Sequence, residues 1–67
     1  MDQQREHATR EAGRTLAGAL DAIEVHGPLS TEATDAIRAG AMAEITARQY
    51  GATSGDIIAA AVDHQQN

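Results

Sequence analysis

The sequence predicts an all-α protein of three helices, a long helical hairpin followed by a short C-terminal helix, with two chains paired as a dimer. Three observations predict it. Apolar residues recur at spacings of three and four, the period of a helix with one buried face. Two breaks, at His26-Gly27-Pro28 and at Gly51, divide the 67 residues into three helical stretches. Large apolar side chains are scarce: hydrophobic residues make up 42% of the chain, but fifteen of them are alanine. A single domain of this length without cysteines sits near the lower limit for folding alone, and the usual remedy is a core shared between chains.

The first helix is expected from Asp2 to about Val25. Its start is polar, so the ends of the domain, about 1–8 and 63–67, are expected to fray. Ala12, Leu16, Leu20 and Ile23 follow at spacings of four, four and three and form the expected buried side. Gly13 and Gly18 each cost about 1 kcal/mol relative to alanine inside a helix, which suggests that another backbone comes close. Gly27 and Pro28 then end the helix. Ser30 or Thr31 caps the second, with Glu32 and Asp35 in its first turn, where the helix dipole favours negative charge.

The second helix, Thr31 to Tyr50, has two stripes. Ala33, Ile37, Ala41 and Ile45 form one. Ala36, Gly40, Ala43, Ala47 and Tyr50 form the other, made almost wholly of small residues that let a neighbouring helix approach. With only one other long helix in the chain, this second stripe is the expected interface with another protein chain. Gly51 ends the helix. Thr53, with Asp56 three residues on, makes a capping-box start for a third helix whose apolar stripe is Ile57, Ile58, Ala61 and Val62. Tyr50 is expected as a core plug with its hydroxyl at the surface, and Met42 as a gap-filler.

Composition restricts the chemistry. The net charge is −5, and all five basic residues are arginine. The Arg, Ala and Gly usage points to a GC-rich bacterial or phage genome. After Arg14 only Arg38 and Arg48 oppose seven carboxylates, a balance that disfavours tracking nucleic-acid phosphates. His7, His26 and His64 are not one helical turn apart, so no zinc site is expected. No catalytic motif or cofactor site is read, and no segment has membrane-spanning length. The expected setting is the cytoplasm.

The stretch from Glu44 to Val62 resembles a bacterial helix-turn-helix unit: Ala47 lies four before the turn glycine Gly51, Thr53 caps the next helix and Ile57 anchors it. The same stretch is similar to the latter half of ribbon-helix-helix proteins, on Gly51, Thr53, Asp56, Ile57, Ile58, Ala61 and Val62. The helix-turn-helix resemblance implies a DNA-binding regulator with Thr53, Ser54, Gly55 and Ala59 at the DNA. The exposed positions of that third helix carry no arginine or lysine for phosphates or guanine edges. The ribbon-helix-helix pattern lacks its basic strand. The function expected first is therefore a non-catalytic protein-protein interaction module, a small accessory or modulator protein binding itself or another protein. A DNA-binding regulator and a structural component of a larger assembly are the alternatives.

Overall fold

In the computed structural model, which describes residues 2–66, the chain forms three helices and no strand among those residues. They are α1 (Asp2–His26), α2 (Thr31–Gln49) and α3 (Ser54–Gln66). Helix α1 is central: α2 packs along it and α3 packs on it, while α2 and α3 barely meet. The result is a thin slab of 37 × 23 × 15 Å. Within the expected frayed ends, helix is continuous from Asp2 and through Gln66. Ala8 is buried there, and Met1 and Asn67 lie outside the described residues.

Local hydrogen bonds set both breaks. Gly27, at φ +95°, donates its N–H to the Ile23 carbonyl at 2.9 Å, the single bond of a left-handed helix stop. Ser30 then accepts from the Ala33 N–H at 3.0 Å and donates its hydroxyl to the Gly27 carbonyl at 2.8 Å. The serine, not Thr31, is thus the cap of α2. At the other end, Ala52 N–H bonds to the Ala47 carbonyl and Gly51 N–H to the Arg48 carbonyl, both at 3.0 Å, with Gly51 again at φ +95°. This pair of bonds is a Schellman stop. Its customary apolar contact is present too, since Ala47 and Ala52 belong to one buried cluster. Thr53 and Asp56 complete the reciprocal capping box of α3. The Thr53 N–H donates to Asp56 Oδ2 at 2.9 Å, and the Asp56 N–H to Thr53 Oγ1 at 3.1 Å.

Packing inverts the expected distribution of side chains. Apart from Ile57, the buried hydrophobic residues are all alanine, among them Ala8, Ala12 and Ala19 on α1 and Ala33 and Ala47 on α2. Alanine and glycine let the two helix axes approach closely, so the α1–α2 contact is a seam of small side chains in antiparallel register: Gly40 lies over Thr15, and Gly51 over Arg5. Of the stripe expected inward on α1, Ala12 is buried, Leu16 and Ile23 are partly buried, and Leu20, at 50%, is exposed. Tyr50 and Met42 also stand out of the core rather than filling it.

Of the two mid-helix glycines, Gly13 meets a backbone and Gly18 does not. A β-carbon at Gly13 would lie 2.5 Å from Ala60 Cβ and 2.7 Å from the Ala61 amide nitrogen. Helix α3 therefore crosses α1 there. Around Gly18 there is open space.

Candidate interaction surface

The small-residue stripe expected to meet another chain is the edge that α2 turns toward α1. Ala47 is fully buried, Ala43 packs against the central cluster, and Gly40 faces the Thr15 backbone. Ala36 is half-buried and Tyr50 exposed at the end of the same edge. In this fold that edge is occupied within the chain, because only small side chains permit the close approach of α1. On the other stripe Ala33 is fully buried, whereas Ile37, Ala41 and Ile45 belong to the exposed apolar surface.

That surface is large for so small a chain. Leu20, Val25, Leu29, Ile37, Met42, Ile45, Tyr50, Ile58 and Val62 are all between 46% and 97% exposed. Scattered exposed apolar residues are normal, but most of the large apolar side chains of a protein on its surface are not. Two of them, Leu20 and Ile37, line one groove together with more buried neighbours. Leu16, Leu20 and Ile23 of α1, Ile37 and Ala41 of α2, and Ile57 of α3 line an apolar groove of about 260 Å³.

The only ionisable side chain lining this groove is Glu44. Its Oε1 accepts from Arg48 Nη2 at 2.8 Å and Nε at 3.1 Å, and Arg48 also bonds to the Ser54 hydroxyl. The charge is thereby matched at the rim, and the groove offers aliphatic surface alone. At the tip of the hairpin, Val25 and Leu29 add a second exposed apolar pair.

On the opposite flank of α3 lies a wider cleft of about 740 Å³ with different chemistry. Arg5, Arg10 and Glu6 of α1 face Asp56, Asp63 and His64 of α3 across it. The Asp56 carboxyl is held below its ordinary value of 3.8, first by the Thr53 backbone N–H, then by the Thr53 side chain and, more weakly, by the charge of Arg5. Glu11 is likewise lowered by its hydrogen bond and ion pair with Arg14 at 2.8 Å. Two guanidinium groups and three carboxylates are interspersed in the cleft, as on a solvated surface.

The residues that the helix-turn-helix resemblance places at DNA serve the α2–α3 corner. Thr53 caps α3, Ser54 takes a hydrogen bond from Arg48, and Gly55 and Ala59 are exposed. Helix α3 rests on α1 through Ala60 and Ala61. Among the described residues, no three His, Asp or Glu side chains gather to hold a metal, and no helix is long and apolar enough to cross a membrane.

The aliphatic groove is a feature that sequence periodicity alone mislocates. Its residues are the ones that period and size assign to the core. What could have found it is the number of small residues on the competing stripe, which outnumber what a surface needs and signal a close helix contact inside the chain. The chain matches no known protein family model, no curated protein and no solved structure.

Proposed function

We propose that this protein is a non-catalytic docking module that binds another protein chain through the aliphatic face of its helical hairpin. The observation that carries this is the distribution of its apolar side chains: a core of alanines and Ile57 inside, and most of the larger leucine, isoleucine and valine side chains exposed. Burying an aliphatic side chain contributes about 1.5–3 kcal/mol, so the exposed apolar side chains, Leu20 and Ile37 of the groove among them, hold hydrophobic free energy that the fold itself leaves unused. The face carries nothing to take or give a proton except Glu44, which Arg48 already holds. Its role is therefore recognition by shape and apolar contact, as expected of a small accessory or modulator protein or of a component within an assembly.

The DNA-binding alternative would need cations on the exposed side of α3, and that helix has none from Ser54 to Asp63. Docking also explains why a short, acidic chain retains an apolar face at all.

A photo-crosslinking residue placed at Ile37, on the groove, tests the reading against one at Asp35, which is exposed on α2 outside the groove. In producing cells, Ile37 should give adducts with a protein, whether this chain or another, and Asp35 should not. Equal yields at the two positions, or none, would remove the proposed face.

A further inference from the structure

The geometry points to a second copy of this chain as the occupant of the groove, with α3 of each copy filling the groove of the other about a two-fold axis. This deepens the docking reading and rests on it.

Surface area supports a second copy. A folded monomer of 7.0 kDa is expected to expose about 4,000 Å², whereas this chain exposes 4729 Å². The surplus, about 700 Å², is close to the ~800 Å² that each partner gives to a standard interface. One interface of ordinary size would return the chain to the surface expected of its mass.

Shape supports it as well. A two-fold interface must be complementary to itself, so a concave feature needs a convex counterpart on the same face. Asp56, Ala60 and Asp63 mark the flank of α3 that faces the polar cleft, and Ile57 points into the apolar groove. Steps of about 100° per residue put Ile58 and Val62 on the remaining flank, beside the groove. Both are about half exposed, and together they form an apolar ridge. Helix α3 covers α1 where it crosses Gly13, whereas two turns farther along α1 Leu20 is 50% exposed. The place vacant on each hairpin is thus the kind of place that α3 already occupies one or two turns earlier, and a partner's α3 brings the ridge to fill it.

Charge is compatible with the pairing. Two chains of net charge −5 repel, so a self-interface must keep its acids out. The groove does so, since its one carboxylate is paired with Arg48. The repulsion comes from the rest of the surface and is screened by salt. Association should therefore tighten as salt is raised, opposite to a contact held by ion pairs.

Sedimentation equilibrium of the purified full chain tests this. The expected mass at micromolar concentration is about 14 kDa, twice the 7.0 kDa of one chain, with tighter association at higher salt. Leu20→Ser is expected to raise the dissociation constant about tenfold or more. The chain has no cysteine, so the pairing is read independently by mixing a Leu20→Cys preparation with a Val62→Cys preparation under mild oxidation. A mixed disulfide dimer should form well ahead of one made with Asp35→Cys in place of Val62→Cys. A monomeric mass throughout, or mixed disulfides no faster than the Asp35→Cys control, overturns the proposal. A monomer that still cross-links to a different protein from Ile37 leaves the docking function standing and removes only self-association, whereas a monomer without such adducts removes both.

Discussion

The two edges of α2 carry opposite kinds of side chain and meet opposite surroundings. Along one edge, Gly40, Ala43 and Ala47 lie against α1, with Ala47 entirely out of solvent. Along the other, Ile37 and Ile45 are about half exposed. In most helices the larger apolar residues are the buried ones. Here the seam is made by closeness, since small side chains let the two backbones approach, and several of the larger groups of α2 stand outward. Position in the core is set by how near the neighbouring helix comes, and side-chain size then indicates which surface is free for something else.

The largest test of that contrast enlarges the inner edge. Ala47→Leu forces three further carbons into a site with no exposure. It should cost at least the ~1–3 kcal/mol typical of overpacking, with a lower midpoint in a urea titration. If it costs nothing, the seam is not tightly packed.

Helix α1 repeats the contrast with its two glycines. Gly13→Ala brings a methyl within 2.5 Å of Ala60, so α3 must shift and stability should fall by about 1–3 kcal/mol. Gly18→Ala meets open space and should raise stability by up to about 1 kcal/mol through helix propensity alone. Thermal melts of the pair that moved in the same direction would show that α3 does not cross at Gly13.

The smallest expected effect concerns how α3 starts. Because the folded-state pKa of Asp56 is depressed, its capping bonds contribute fully above the ordinary carboxylate value of 3.8. That contribution is lost as the pH falls through the lowered folded-state value. Melting temperatures measured from about pH 5 downward should fall less steeply in Asp56→Asn than in the native sequence. Coincident slopes would mean that the capping box does not hold α3 in place.

These differences explain why some features were legible in the sequence and others were not. The two breaks between helices were readable to within a residue because each is written locally: Gly27 and Pro28, Ser30, Gly51, and the Thr53–Asp56 box all act within four or five positions. The inner edge was not readable because it depends on how close α1 comes, a property of two distant segments. Size-weighted periodicity therefore sent Leu20 inward and reserved the Ala36–Ala47 stripe for a partner. Gly13 and Gly18 give the same signal in sequence, and only the path of α3 separates them.

The Schellman stop at Gly51 makes the length of α2 a phase setting for the C-terminal third of the chain. Inserting one residue between Ala36 and Ala47 would turn every later position by about 100° and advance it by about 1.5 Å. Gly51 would release the chain in a new direction, and Ile57 would leave the cluster it shares with Ala12 and Ala47. Point changes on the solvent side of α2 leave that phase intact. Insertions and deletions in α2 do not, so among related chains this helix should vary in composition far more readily than in length.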